Sequence, residues 1–220
     1  MARGYFVTGT DTGVGKTVVS AALVHRLRSA GPVRYWKPIQ TGIEADDDTA
    51  TVERLGGCAP DELWRHGVRL ERPVSPHLAA RLADTRIDPG AVARLLPADH
   101  SVRWIVEGAG GALVPVNDAE LMTDLMSRLA LPVIIVSRST LGTINHTLLT
   151  IEALRRRSLE VAGVVMVGPP NAENRQAIER YGEVDVLGEM PPFDPLTPEV
   201  LGAWARTALD AREKLQEIAR

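Results

Sequence analysis

Residues 9–17 read GTDTGVGKT, and this stretch ends in the Gly-Lys-Thr of a phosphate-binding loop. A glycine usually opens such a loop, at the position that Thr10 occupies here. The stretch follows an apolar strand pattern and precedes a helical one, so backbone N–H groups and a helix N-terminus would point at a bound anion. In a loop of this kind Lys16 reaches the outer phosphates and the hydroxyl of Thr17 binds Mg²⁺.

Two acidic stretches follow other predicted strands. Glu107-Gly108-Ala109-Gly110-Gly111 comes after the strand at 103–106, where a second carboxylate ligand for Mg²⁺ belongs. Its glycines allow a ligand to approach closely, although Gly-rich turns with an exposed Glu are also common. Asp46-Asp47-Asp48 lies in a predicted loop after the second strand. One of these three could join Thr17 and Glu107 around the metal, but acidic triplets are often solvated surface.

A lysine, Lys37, stands at the end of the second predicted strand. Near phosphates it would stabilise developing negative charge, although a lysine is also an ordinary surface residue. The five histidines show no metal-binding spacing with one another or with the single cysteine. The residues taken alone therefore predict a Mg²⁺-dependent nucleotide phosphohydrolase or phosphotransferase. They include no Asn-Lys-x-Asp guanine motif, and they do not name the second substrate.

Apolar runs alternate with helical patterns along the whole chain. Several runs are continuous rather than alternating, as in a parallel sheet that is covered on both faces. The pattern predicts a doubly wound α/β fold, with a mostly parallel sheet, helices on both faces and a single domain over 1–220. Strands are predicted at 5–8, 33–37, 103–106, 133–136, 161–167 and 184–187. Helices are predicted at 16–30, 76–83, 88–96, 119–130, 143–157, 172–182 and 198–219.

Composition excludes several classes of protein. Hydrophobic residues make up 45% and charged residues 24%, which is typical of a globular domain. The net charge of -3 comes without a basic stripe, so no nucleic-acid partner is expected. No apolar run approaches a membrane span, and the N-terminus passes straight into a strand pattern without a signal region. A single cysteine, Cys58, fits a reducing cytoplasm.

With these motifs in place, the chain resembles the dethiobiotin synthetase family. The matching segments appear in the order of the family and span most of the chain, except for 58–90, where only Ser75-Pro76-His77 matches. They are TGTDTGVGKT (8–17), KPIQTG (37–42), DDDTA (46–50), VEGAGG (106–111), LGTINHTLLT (141–150) and LGEMP (187–191). The resemblance implies ATP-dependent conversion of 7,8-diaminononanoate and CO₂ (or bicarbonate) to dethiobiotin, ADP and phosphate. The route is a carbamate, its mixed anhydride with phosphate, and closure of the ring by the second amine.

The resemblance also implies roles for residues. Lys37 and Lys16 would be catalytic, and Thr17, Asp48 and Glu107 would hold Mg²⁺. The family is a homodimer, which implies that Asn145 lies beside the substrate carboxylate of the neighbouring subunit. The other substrate contacts implied are Thr12, Thr41 and Gly110. The nucleotide contacts implied are Gly13, Val14, Gly15, Lys16, Thr17, Val18, Asp48, Glu107, Gly108, Ala109, Gly110, Gly168, Pro191, Pro192 and Phe193.

One segment departs from the family pattern. Members that select adenine carry Asn-Asp after the fifth strand, where this chain reads Met166-Val167-Gly168-Pro169-Pro170. We therefore expect weak base selectivity, with other triphosphates such as CTP competing with ATP.

Two other P-loop classes compete with this interpretation. Partitioning and cell-division ATPases carry a second lysine early in the loop, about where Asp11 stands, and often a basic or amphipathic C-terminal tail. The predicted last helix here mixes both signs of charge. Amidotransferases of the cobyrinate type add a glutaminase domain, for which 220 residues leave no room. A non-catalytic nucleotide-binding module is a further alternative, but such a module would have no need for the chemical groups of Lys16, Thr17 and Glu107.

Overall fold

The fold was analysed from a computed structural model, which describes residues 2–215. The strands are β1 (Arg3–Gly9), β2 (Val33–Trp36), β3 (Ile39–Thr41), β4 (Leu63–Trp64), β5 (Val68–Leu70), β6 (Arg103–Gly111), β7 (Val133–Arg138), β8 (Val161–Val167) and β9 (Val186–Met190). The α-helices are α1 (Lys16–Arg28), α2 (Asp48–Gly56), α3 (Pro76–Leu82), α4 (Pro89–Ala93), α5 (Met122–Leu129), α6 (Thr143–Arg155), α7 (Ala172–Gly182) and α8 (Pro198–Thr207). A 3₁₀ turn, Pro60–Glu62, precedes β4.

Seven strands form one parallel sheet in the order β4-β2-β6-β1-β7-β8-β9. The central strand β1 places Val7 opposite Glu107 of β6, and β2 places Trp36 opposite Val106. The two remaining strands, β3 and β5, form a small parallel sheet of their own. Because all seven strands are parallel, their carboxyl ends meet at one edge, where ligands bind in such folds.

Each face of the large sheet is covered by its own hydrophobic core. On β1, Phe6 points into one core while Tyr5 and Val7 point into the other, because successive side chains of a strand point to opposite faces of the sheet. The first core includes residues of α3 to α7, and the second includes residues of α1, α2 and α8. The doubly wound fold with helices on both faces is therefore confirmed. Among residues 2–215, no helix combines the length and apolar character that crossing a bilayer requires.

The predicted strands are confirmed, with shifted ends. The last strand begins and ends later than predicted, and the helix predicted at 88–96 is only the five residues of α4. The helix predicted at 198–219 ends at Thr207. It stops because Asp210 takes a left-handed conformation (φ 54°) and donates its N–H to the carbonyl of Leu187 in β9. Residues 216–219 of that prediction lie outside the described residues.

The segment between β2 and α3 contains the elements that the sequence pattern missed. Asp46–Asp48 was predicted as a loop, but Asp47 is the N-cap of α2 and Asp48 is its first residue. The strands β3, β4 and β5 have only two or three residues each, too few to show a period. Of these elements, β4 is the edge strand of the large sheet, and α2 begins at Asp48, one of the predicted site residues.

Candidate active site

The loop at 9–17 joins β1 to α1 in the geometry of an anion site. Gly13 (φ 68°) and Gly15 (φ 99°) adopt left-handed conformations, and Gly15 is the N-cap of α1. A side chain would strain both positions, so glycine lets the loop curl around a ligand. Lys16 Nζ donates to the carbonyl of Asp11 at 3.0 Å, across the concave side of the loop. Burial and the positive charge of Lys37 lower the pKa of Lys16.

A cluster of charged side chains lies beside this loop. The ammonium of Lys37 is 2.7 Å from Asp48 Oδ2 and donates to Glu107 Oε1 at 2.8 Å and to the Gly108 carbonyl at 3.1 Å. The Thr17 hydroxyl is 2.6 Å from Asp48 Oδ1 and 3.1 Å from Glu107 Oε1. The end of β2, the strand β6 and the first turns of α1 and α2 therefore bring one lysine, two carboxylates and one hydroxyl into contact.

Burial makes these ion pairs mutually dependent. Glu107 is fully buried and Lys37 is almost so, so each needs an opposite charge close by. Burial alone would lower the pKa of Lys37, but Glu107 and Asp48 raise it overall. Burial opposes ionisation of Asp48, but the ammonium of Lys37 and the hydrogen bond from Thr17 lower its pKa. The lysine is thus charged, with Asp48 ionised beside it.

The three consecutive aspartates have different surroundings. The Asp47 carboxylate accepts from the backbone N–H groups of Thr49 and Ala50 and caps α2. The side chain of Asp46 is exposed, and its carbonyl accepts from Gln40. Of the three carboxylates, that of Asp48 makes the contacts to Thr17 and Lys37.

The oxygen atoms of this cluster fit Mg²⁺. The ion takes oxygen ligands in proteins, usually one or two carboxylates together with phosphates and water. Thr17, Asp48 and Glu107 supply one hydroxyl and two carboxylates within contact of one another. In residues 2–215, no group of three or more His, Cys, Asp or Glu side chains is arranged to hold a metal. The two carboxylates would accordingly hold the ion in company with nucleotide phosphate and water.

A cleft of about 670 Å³ opens between the phosphate loop, the segment after β2 and the end of β6. Most of the residues predicted for nucleotide, metal or substrate line it. These are Thr12, Gly13, Gly15, Lys16, Thr17, Val18, Lys37, Thr41, Asp48, Glu107, Ala109 and Gly110. The structure therefore gathers residues from four separate parts of the sequence around one cavity.

The other predicted site residues do not line this cleft. Val14 is buried in the core, and Gly108 takes part through its carbonyl, which accepts from Lys37. Asn145 is exposed in the first turn of α6. Gly168 donates its N–H to Met190 at the ends of β8 and β9. Pro191, Pro192 and Phe193 follow β9, and Phe193 packs edge-on against Trp204, with 6.3 Å between the ring centroids.

Comparison with known proteins identifies the family. A family model described as "AAA domain" matches residues 3–200. A protein named ATP-dependent dethiobiotin synthetase BioD from Agrobacterium fabrum is 46% identical over 201 residues, covering 91% of this chain and 92% of that protein. A protein of the same name from Paramagnetospirillum magneticum is 51% identical over 195 residues, which cover 89% of this chain and 91% of that protein.

The chain belongs to the dethiobiotin synthetase family.

The family also includes a larger relative. A protein named Biotin biosynthesis bifunctional protein BioCD, from Bordetella avium, is 46% identical over 205 residues. These residues cover 93% of this chain, and the chain spans 43% of the length of that protein.

Solved structures of other P-loop proteins share the fold of this dethiobiotin synthetase family member. A ParA family ATPase from Chlorobium tepidum superimposes with a TM-score of 0.60 at 11% identity, covering 93% of this chain and 98% of that one. The cell division ATPase MinD from Pyrococcus furiosus superimposes with a TM-score of 0.60 at 17% identity, and the match covers 98% of this chain and 99% of that one. At these identities the likeness concerns the fold alone, so the partitioning and cell-division interpretation gains no support as a function.

Two residues of the site were missed by sequence reasoning. Tyr35 donates from its hydroxyl to Glu107 Oε2 at 2.9 Å. It stands two residues before Lys37, so strand alternation could have placed both side chains on one face. Arg138, at the end of β7, is 3.4 Å from the Asp11 carboxylate and donates to the Thr12 carbonyl at 3.3 Å. No motif indicated that contact.

The contacts of the three aspartates predict different effects of substitution. Asp48→Asn should weaken Mn²⁺ binding in the presence of the non-hydrolysable analogue AMP-PCP by about tenfold or more, because a charged ligand is lost. Asp47→Ala should lower the free energy of unfolding by about 1 kcal/mol, the usual value of an N-cap, and leave Mn²⁺ binding unchanged. Electron paramagnetic resonance and thermal unfolding measure the two quantities, with Asp46→Asn as the matched control. Equal loss of Mn²⁺ binding in all three variants would contradict the assignment of Asp48.

Proposed function

We propose that this chain is an ATP-dependent dethiobiotin synthetase that joins CO₂ to 7,8-diaminononanoate and closes the ureido ring, forming dethiobiotin, ADP and phosphate. The observation that supports it most is the contact of Lys37 with Asp48 and Glu107 beside the phosphate loop, in a chain of this family. The proposal includes a single domain over 1–220. It also includes a cytoplasmic location, which fits the one cysteine and its free thiol.

The phosphate loop would bind the triphosphate. Gly13 and Gly15 have left-handed conformations next to the N-terminus of α1, where backbone N–H groups would bind the phosphates. The ammonium of Lys16 would give up its hydrogen bond to the Asp11 carbonyl and bind phosphate oxygens. The new contact is stronger because these oxygens are charged. When bound through Thr17, Asp48 and Glu107, Mg²⁺ would neutralise charge on the phosphates.

Lys37 would act on the second substrate. Its ammonium lies at the wall of the cleft near the phosphate loop, where a carbamate oxygen must stand to attack the γ-phosphate. A positive charge there stabilises the negative charge that develops during phosphoryl transfer. The step needs positioning more than a strong base. Thr12, Thr41 and Gly110, which line the cleft, would supply this positioning. Holding amine, CO₂ and phosphate together raises their effective concentration.

The proposal includes a homodimer. Leu113, Leu141 and Leu149 are exposed large apolar side chains, and the Leu141 side chain lies entirely in solvent in the single chain. Leu113 and Leu149 line a groove of about 310 Å³ beside the head of the phosphate loop. Exposed apolar clusters of this kind mark association surfaces. Asn145, exposed on the same helix as Leu149, would then reach the cleft of the partner.

Phosphate release tests the proposed reaction. We expect release from MgATP with bicarbonate to depend on 7,8-diaminononanoate and to match the dethiobiotin detected by mass spectrometry. The dependence follows because the carbamate, and not water, is the nucleophile that Lys37 and the loop would position. Phosphate release at the same rate without the diamine, and no dethiobiotin, would show a nucleotide hydrolase with the substrate wrongly assigned.

Replacing Lys37 should separate binding from catalysis. Lys37→Ala removes a charge that acts on the reacting groups, so we expect the kcat for dethiobiotin to fall by a factor of about 100 or more. Nucleotide affinity, measured by equilibrium dialysis with AMP-PCP, should change little because the loop and Lys16 remain. Lys214→Ala is the matched control, since Lys214 is the only lysine besides Lys16 and Lys37. Turnover near the normal value would remove Lys37 from the mechanism.

The segment after β8 predicts poor discrimination between bases. Two asparagines lie nearby, but the Asn171 side chain caps α7 and Asn174 Nδ2 donates to the Ser139 carbonyl at 2.9 Å. Base discrimination needs side-chain groups that hydrogen-bond one base and are left unpaired by another. We expect KM values for ATP and CTP that agree within about tenfold. Steady-state measurements with ATP, CTP and GTP decide the matter, and a hundredfold preference for ATP would refute the expectation.

A further inference from the structure

A tyrosine that no motif singled out touches the acidic cluster from the core side. Tyr35 lies in β2, its side chain is fully buried, and its hydroxyl donates to Glu107 Oε2 at 2.9 Å. The family motif that begins at Lys37 does not include this residue.

The two oxygens of Glu107 have different partners. Oε1 contacts Lys37 at 2.8 Å and Thr17 at 3.1 Å, and both of these residues line the cleft. Oε2 has the Tyr35 hydroxyl as its side-chain donor. Because a carboxylate is planar, a donor that fixes Oε2 also fixes the direction in which Oε1 points. Hydrogen bonds to the far side of a ligand orient metal-binding groups in this way.

We propose that Tyr35 is a positioning residue that orients Glu107 toward the metal. The inference rests on the proposed function, because it takes Glu107 as a metal ligand. Tyr35 suits the role because it is a neutral donor: it satisfies Oε2 without adding a positive charge that would compete with a divalent cation. Its ring fills the core beneath β2, so the hydroxyl alone carries the effect on Glu107.

The variant Tyr35→Phe removes the hydroxyl and keeps the ring. We expect Mn²⁺ binding in the presence of AMP-PCP to weaken by about tenfold or more, as when a partner of a metal-binding group is lost. Affinity for AMP-PCP in EDTA should stay within about twofold of the wild-type value, because Tyr35 does not line the cleft. Electron paramagnetic resonance of free Mn²⁺ and equilibrium dialysis measure the two quantities.

The matched control is Tyr5→Phe. Tyr5 is equally buried in β1, two strands away in the same sheet, but its hydroxyl donates to the Leu215 carbonyl and not to the site. Tyr5→Phe should bind Mn²⁺ as the wild type does. Equal loss in both variants would show a general effect of a lost buried hydroxyl, and no loss in Tyr35→Phe would overturn the inference. A wild-type protein that holds no Mn²⁺ beyond that bound by AMP-PCP would instead refute the proposed metal site.

A spectroscopic test uses the wild-type contact and covers the case in which Tyr35→Phe does not fold. The chain has three tyrosines, so labelling with 3-fluorotyrosine gives three ¹⁹F resonances, which Tyr5→Phe and Tyr181→Phe assign by elimination. We expect the Tyr35 resonance to shift when Mg²⁺ is added to the complex with AMP-PCP, while those of Tyr5 and Tyr181 stay in place. A Tyr35 resonance that does not move would contradict a contact that the metal site uses.

Discussion

The buried charge of Glu107 is the constraint around which this site is built. A carboxylate with no exposed surface, in the middle of a central strand, is destabilising unless donors surround it. The fold supplies three side chains for this purpose, Lys37, Thr17 and Tyr35, from two other segments of the chain. Asp48 then balances the lysine from α2. Removal of one member would leave another charge buried without its partner, which costs more than the pair contributes.

The parallel sheet makes this convergence possible. β2, β6 and β1 are adjacent and parallel, so residues on or just after these strands lie close together. The start of α1, which follows the loop after β1, carries Lys16 and Thr17, the end of β2 is followed by Lys37, and β6 carries Glu107. A site assembled on strand ends is fixed by the ladder of backbone hydrogen bonds, so its geometry depends on the core of the sheet rather than on flexible loops.

Much of this arrangement follows from the sequence because the signals are local. The phosphate loop is one continuous motif between a strand and a helix, and apolar runs mark the central strands. The proposed metal ligands are less evident: the residues taken alone do not distinguish Asp48 from Asp46 and Asp47, because the N-cap of α2 is decided by the backbone around it. β3 and β5 pair only with each other and are too short to show a period.

From the sequence alone, Tyr35 cannot be distinguished from an ordinary core aromatic residue. Its contact with Glu107 depends on β6 lying next to β2, which brings together two residues that are 72 positions apart in the chain. The role proposed for Asn145 would depend on a second subunit, which no pattern within one chain can position.

The contacts of Lys37 also bear on the role in substrate binding that we propose for it. A lysine has three N–H donors, and here they are matched by Asp48, Glu107 and the carbonyl of Gly108. A contact with a carbamate or phosphate oxygen therefore requires Lys37 to exchange at least one of these partners. Its ammonium is a compact charge on a flexible stem of four carbons, so it can turn toward the cleft without moving β2. An arginine, with its planar and rigid fork, could not make that exchange within the same space. The same carboxylates would then be free to bind a cation, so the proposed substrate contact by Lys37 and the proposed metal contact by Asp48 and Glu107 would be two parts of one rearrangement of charge.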